Sequence, residues 1–438
     1  MKKIVASVGL VALGAAAAHA QYAPGLSPQE TSKSWALSAS LRGFYDDNYL
    51  TLPKSIPDPT GAPGFVRGAR SSFGIEVTPS VSFNHSVEDT LLSASYVYDL
   101  HYYEDHSVTD QTHQFNAKLD HEFSERYKIQ LNESFVIAQE PTVLDQSVIA
   151  SPLRTEGNNV RNTASADFTA VLTRLFDIHL GYANTVYAYQ EHESDIPFGL
   201  VEPSRSALLD RMDQLGTVDL RWKALPSTTG VFGYQYEHLD YTSPEYIIYP
   251  DPGVTRGYHS AVRNEDSHFA FVGVDESFTP DLNGSIRAGM QYVDYYNAHH
   301  SDVSPYVDAS LTYQYMPQSS AQVGVKHVHN ATDVAGLPGT PPVLDEESTA
   351  AYLSISHRVT SRFTVSALGQ AQFSTFNGGG SGFDGRGEDF FIGGVNLAYH
   401  FTQWMTGEAG YNYNKLNSDL ADRAYTRNQV YIGVRATY

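Results

Sequence analysis

The chain has no cysteine, and tryptophan and methionine are scarce, with three and five residues among 438. Without cysteine, disulfide bonds, thiolate catalysis and cysteine-ligated metal centres are excluded. Beyond the N-terminus there is also no run of about 18 consecutive apolar residues, which excludes a protein built from transmembrane helices. What remains is a soluble protein or a membrane protein that crosses the bilayer with strands.

The N-terminus has the organisation of a secretory signal peptide. Two lysines precede an apolar stretch, and Ala18-His19-Ala20 matches the small-residue pattern of a cleavage site. The residue that follows is glutamine, so we expect no lipoprotein anchor. The predicted organisation is a signal peptide over 1–20, a periplasmic lead-in over 21–33 and a single barrel domain over 34–438.

Apolar and polar residues alternate over most of the remaining chain, and tyrosine is abundant, with 30 residues. Val307, Ala309 and Leu311, for example, alternate with Asp308 and Ser310. A period of two is that of a strand with one apolar face. About 18 segments of roughly 9–15 residues follow this pattern, and each is long enough to cross a bilayer when tilted.

The connections between these segments alternate between short turns and longer loops, and both ends of the domain lie on the short-turn side. This arrangement predicts an all-β fold, a single antiparallel up-and-down transmembrane β-barrel of 18 strands. Its short turns would be periplasmic and its longer loops extracellular. The loops at 47–69, 140–160 and 242–264 are long enough to fold into the barrel.

The last strand and the aromatic residues carry further expectations. Val434, Ala436 and Tyr438 share one face of a strand that ends on an aromatic residue, which predicts a signal for the barrel assembly machinery. Aromatic residues near both kinds of connection predict two girdles at the membrane interfaces. The short-turn girdle comprises Trp222, Phe278, Phe401, Trp404 and Tyr438, and the long-loop girdle comprises Tyr45, Tyr102, Tyr189, Tyr236, Tyr241 and Tyr295.

The formal net charge is −21, but the acidic excess lies in the loops. Acidic loops either solubilise the rim and meet lipopolysaccharide through divalent cations, or set an entry potential that favours cations. On the polar strand faces the two signs are nearly balanced. The predicted pore-lining residues are Arg42, Glu76, Asp99, Lys118, Asp120, Lys128, Asp167, Asp219, Arg221, Arg287, Asp308, Lys326, Arg358, Glu408 and Arg435. The sequence predicts no metal and no cofactor.

Two short motifs point to a family. Tyr45, Asp46, Asp47 and Asn48 close the first strand, and Pro79-Ser80 lies in the next long strand. This opening resembles the putative β-barrel porin 2 family. The resemblance implies an outer-membrane barrel with a channel role, and some members are associated with exopolysaccharide production and export. It transfers no catalytic residue. The oxygen-bearing side chains of 46–48 have two interpretations, a calcium site and a capped turn that leaves the strand.

We therefore expect a porin-like channel for passive diffusion of small hydrophilic solutes across the outer membrane. The alternatives are an export channel for an exopolysaccharide and a non-conducting structural or adhesive barrel. The chain has no G-x-S-x-G, H-E-x-x-H or phosphate-loop motif, so we expect no enzyme activity. The expected partners are outer-membrane lipid and lipopolysaccharide, the assembly machinery and a small hydrophilic solute or polysaccharide, and nucleic acid is not among them.

Overall fold

The computed structural model describes residues 34–57, 65–138, 158–196, 202–250, 257–421 and 423–438. The predicted signal peptide and lead-in lie outside these residues and stay predictions. The described residues form one antiparallel sheet of 18 strands. Each strand pairs with its neighbours along the chain, and the first long strand pairs with both the second and the last. The sheet therefore closes into a barrel, which confirms the predicted fold class.

Strands are numbered in chain order, including four short ones in the loops. The barrel strands of the first half are β1 (Trp35–Asp46), β4 (Ser72–Val87), β5 (Thr90–Tyr103), β6 (Val108–Ser124), β7 (Tyr127–Ala138), β8 (Asn159–Val171), β9 (Phe176–Tyr189), β10 (Arg211–Lys223) and β11 (Thr228–Tyr241). Those of the second half are β14 (Glu265–Thr279), β15 (Leu282–Tyr295), β16 (His300–Met316), β17 (Ser319–Asn330), β18 (Val343–Arg358), β19 (Phe363–Gly378), β20 (Gly387–His400), β21 (Met405–Ser418) and β22 (Tyr425–Thr437).

The period-two pattern of the sequence sorts side chains between the two faces of the barrel wall. In the pairing of β1 with β4, Leu41 lies opposite Val77 on one face and Arg42 lies opposite Glu76 on the other. The first face points outward and exposes large apolar side chains, such as Ile432, which is 70% exposed. An apolar exterior around a polar interior is the pattern of a membrane-spanning β-barrel, because lipid surrounds the wall.

Most strand bounds agree with the sequence prediction, and those of β5 and β10 agree completely. Two bounds differ. β8 ends at Val171, about four residues early, because the Thr173 hydroxyl accepts hydrogen bonds from the backbone N–H groups of Leu175 and Phe176 and closes a turn. β18 begins at Val343, before the predicted start, because its first residues pair with the end of β19.

The long loops contain further elements. These are two short hairpins, β2 (Ser55–Pro57) with β3 (Phe65–Arg67) and β12 (Tyr246–Ile248) with β13 (Tyr258–His259), and a one-turn helix, α1 (Arg205–Leu209). Within the described residues, no helix is long and apolar enough to cross a membrane.

The short-turn aromatic residues Trp222 and Phe278 are exposed on the outward face, as a girdle requires. The prediction was wrong for three tyrosines at the other end, because Tyr189, Tyr241 and Tyr295 are buried on the inward side. The girdle was predicted because these tyrosines lie near a loop in the sequence. The face that a strand residue occupies depends instead on whether its position along the strand is odd or even.

Candidate functional site

The barrel interior collects the charged residues of the strands. All fifteen predicted pore-lining residues lie on the inward face. Residues that pair across neighbouring strands share a face, and these pairings can be followed from Arg42 around the whole barrel and back to Arg42. This placement is a property of the fold. Their role in lining a conducting path stays a prediction.

The densest group of charges lies where β1 joins β22 and closes the barrel. The Arg42 guanidinium contacts Glu76 Oε1 at 2.7 Å and Glu408 Oε2 at 2.7 Å. Arg435 donates to the other oxygen of Glu408. All four side chains are buried or nearly so. Two arginines and two carboxylates offset each other, so this part of the wall presents little net charge.

A histidine that the sequence prediction missed extends this group. His101 Nδ1 lies 3.4 Å from Asp99 Oδ2, and His101 Nε2 lies 3.6 Å from Glu76 Oε2. In the described part of the chain, Glu76, Asp99 and His101 form the one group with enough convergent ligand atoms for a metal ion. Arg42 already supplies a positive charge beside these three residues, because its guanidinium pairs with Glu76. In the sequence, His101 lies two residues after Asp99 in the same strand. This spacing indicated that His101 shares a face with Asp99, which was a predicted pore-lining residue.

Charges further around the wall, on β6 and on β8 to β10, are paired in the same way. His179 lies between Asp167, at 3.2 Å, and Asp219, at 3.7 Å. Lys118 contacts Asp120 at 2.9 Å. Two other predicted pore-lining residues lie near the short turns, away from these groups. Lys128 pairs with Glu122 across a hairpin, and Arg358 donates to turn residues including Gln318.

The long-loop end of the barrel carries a cluster that we call the loop cap, formed by 204–209, 245–250, 257–264 and 331–342. Its apolar centre is a buried group comprising Ala207, Ile247, Ile248 and Ala335. Of the loops predicted to fold inward, 242–264 contributes to the cap, whereas most of 140–160 lies outside the described residues. The contribution of 331–342 was not predicted.

A single arginine organises the cap. Arg263 is fully buried and donates to the backbone carbonyls of Val343 at 2.9 Å, Thr332 at 3.0 Å and Leu208 at 3.4 Å, and also to that of Val334. Burial lowers the pKa of the Arg263 guanidinium, since the charge has lost its water. One side chain thus joins three separate chain segments over the barrel mouth.

A second arginine fastens the cap to the rim. Arg423, in the loop between β21 and β22, contacts Asp333 with both terminal nitrogens, at 2.7 and 3.2 Å, and also pairs with Glu388. Burial opposes the charged form, but the carboxylates of Asp333 and Glu388 outweigh it and raise the pKa of Arg423. The ion pairs therefore hold the loop 331–342 in place as long as the carboxylates are ionised.

The motif that suggested the family forms a capped turn at the closing seam. Asn48 N donates to Asp46 Oδ1 at 3.0 Å, and Asp46 Oδ2 accepts from Arg427 at 2.7 Å. Asp47 accepts from both the backbone and the side chain of Asn428, at 2.6 and 2.7 Å. Protein donors thus satisfy these carboxylates, which supports the capped turn over the calcium site.

Family comparison agrees with the architecture. The family model described as putative beta-barrel porin 2 matches residues 238–438. The predicted resemblance is confirmed. The match begins near the end of β11, so the residues 45–48 and 79–80 that suggested the family lie outside the matched range, and their status as family motifs stays a prediction. Among curated proteins, none matches this chain at a significant level.

Solved barrels are similar at the level of architecture. OccK2 (OpdF) of Pseudomonas aeruginosa has a TM-score of 0.45 and 8% identity, with 92% of this chain and 98% of that chain covered. OccAB4 of Acinetobacter baumannii has a TM-score of 0.42 and 9% identity, covering 93% and 99%. The ferric enterobactin receptor PfeA of P. aeruginosa has a TM-score of 0.44 and 9% identity, covering 92% and 80%.

Proposed function

We propose that the protein is an outer-membrane channel through which small hydrophilic solutes diffuse passively. The observation that carries this proposal is the closed 18-strand wall with an apolar exterior and a charged interior. A barrel of this strand number is wide enough to hold an aqueous path. Diffusion through such a path requires polar lining and no reacting group.

The interior charges favour weak ion selectivity. Arg42 and Arg435 are offset by Glu76 and Glu408, and His179 lies between two aspartates. Paired charges produce short-range fields that fall off within the lumen, whereas an unpaired ring of one sign would exclude ions of that sign. We therefore infer that neutral and zwitterionic solutes pass more readily than strongly charged ones.

The loop cap sets an upper limit on solute size. It is fixed over part of the long-loop end by Arg263 and by the contacts of Arg423 with Asp333. A fixed obstruction at the mouth narrows the path without closing the barrel wall. Small solutes are accordingly the expected cargo, and a polymer would require the cap to move.

Single-channel conductance of the refolded full-length protein in planar bilayers tests this function. We expect stable conductance steps and a reversal potential close to zero in a salt gradient, as a balanced wall predicts. The matched variant replaces 331–342 with a short Gly-Ser turn, which removes part of the cap and should enlarge the step. A silent wild type that conducts only after this replacement would favour a gated export channel. Silence in both proteins would refute a channel and favour a structural barrel.

A further inference from the structure

Within the described strands, the outward face of the barrel is mostly apolar at mid-strand and carries one carboxylate there. Glu133 lies on the outward face of β7, between Leu131 and Phe135, which are both exposed. The other outward-facing carboxylates of the described strands lie nearer to a strand end than Glu133 does. A carboxylate in this position is costly, and intramembrane ionisable residues generally serve a function.

The depth of Glu133 follows from strand geometry. It lies six residues from Tyr127, the first residue of β7. At about 3.3 Å per residue and a tilt of about 45°, this places Glu133 roughly 14 Å above the short-turn end, near the middle of an apolar band about 25 Å tall. Acyl chains at that depth offer no hydrogen-bond donor.

The surroundings of Glu133 form a shallow notch. Its two paired neighbours are Ala117 on β6 and Ala164 on β8, whose small side chains leave the carboxyl group accessible from outside. Within the described residues, one side chain bonds to it: Asn162 Nδ2 donates to Glu133 Oε1. The second carboxylate oxygen is left for a donor outside the barrel. Small residues around a polar group are typical of contacts between membrane-spanning elements.

Polar groups with hydrogens to donate lie on the other side of Ala164. Asn184 on β9 is the partner of Ala164 in the next pairing, and it faces outward. Tyr182, on the same face, donates to Gln214 of β10 at 3.2 Å, so the Gln214 amide N–H groups remain for another acceptor. The patch thus has an acceptor on one side of Ala164 and donors on the other, which is the arrangement that a two-fold contact with an identical patch requires.

We propose that this outward patch, comprising Glu133, Asn162, Ala164, Asn184 and Gln214, is the contact surface for a second copy of the chain lying beside it in the membrane. A two-fold axis passing in front of Ala164 brings Glu133 of each copy towards the amide-bearing strands of the other. The contact removes the Glu133 carboxylate from lipid and supplies the donors that lipid lacks. It makes no use of the barrel interior and so is independent of solute passage.

The test is the dissociation constant for self-association of the full-length protein in lipid nanodiscs or mild detergent, measured by mass photometry over a dilution series. We expect a dimer for the wild type. Glu133→Leu and Ala164→Phe should each raise the dissociation constant at least tenfold, by removing the acceptor and by filling the notch. Ala367→Phe is the matched control, because Ala367 faces outward on β19, far around the wall.

Two results would overturn the proposal. One is a wild type that stays monomeric at every concentration. The other is a Glu133→Leu variant that associates as strongly as the wild type and unfolds at higher denaturant, as expected if Glu133 simply faced lipid. Circular dichroism and gel heat-modifiability report whether each variant forms the barrel. If Ala164→Phe does not fold, the Glu133→Leu comparison decides alone.

Discussion

Replacing Arg263 with methionine should release the loop cap while leaving the barrel intact. Methionine keeps most of the length of the side chain but donates no hydrogen bond. Three carbonyl groups that Arg263 reaches in buried positions, those of Val343, Thr332 and Val334, would lose a donor. At about 1 kcal/mol for each buried acceptor left without a partner, the cap loses about 3 kcal/mol of stability against local opening.

Hydrogen exchange measures this loss directly. The amide of Val343 donates to the carbonyl of Ala335 at 2.9 Å, so its exchange reports the opening of 331–342. A loss of about 3 kcal/mol corresponds to roughly 100-fold faster exchange, since about 1.4 kcal/mol is a factor of ten. Exchange in β5, on another part of the wall, should not change.

The control is Arg386→Met, because Arg386 lies at the same end of the barrel with an exposed side chain. This variant should exchange like the wild type. The reasoning would be refuted if Arg263→Met altered exchange at Val343 by less than about threefold, because the guanidinium would then contribute little to holding the cap.

Three further predictions concern the barrel wall and can be checked by denaturant unfolding in lipid. Asp47→Ala removes two hydrogen bonds to Asn428 at the seam and should cost about 1.5–3 kcal/mol; a loss below about 0.5 kcal/mol would show that the turn does not support the seam. Leu311→Arg places a charge on the outward face and should cost about 2–4 kcal/mol, whereas Thr312→Arg, pointing inward, should cost much less; equal costs would contradict the assigned faces. Tyr438→Ala removes the ring that lies 5.4 Å from Trp35, centroid to centroid, and should cost at least about 0.5–1.5 kcal/mol; unchanged stability would mean that this ring pair contributes nothing to closing the barrel.

Several features of this protein are local properties of its sequence. The period of two in segments such as β16 assigns Leu311 and Asp308 to opposite faces before any partner strand is known, because successive side chains of a strand point in opposite directions. The same reasoning placed the charged residues of the wall on one face and counted the strands correctly. Errors arose where a turn formed early, as at Thr173, or where nearness to a loop was taken for a membrane-facing position, as at Tyr295.

Only the tertiary structure decided which residues meet. Arg42 pairs with Glu408, 366 positions away, because the barrel closes between β1 and β22, and no local pattern specifies that partner. The loop cap is a similar case: Arg263 is an ordinary loop arginine in the sequence, and its role comes from carbonyl groups that three separate segments bring together. The notch around Glu133 likewise depends on alanines from the two adjacent strands. Alternation along one strand fixes the face of each residue, whereas ion pairs, caps and contact surfaces depend on the register between strands and on closure of the sheet.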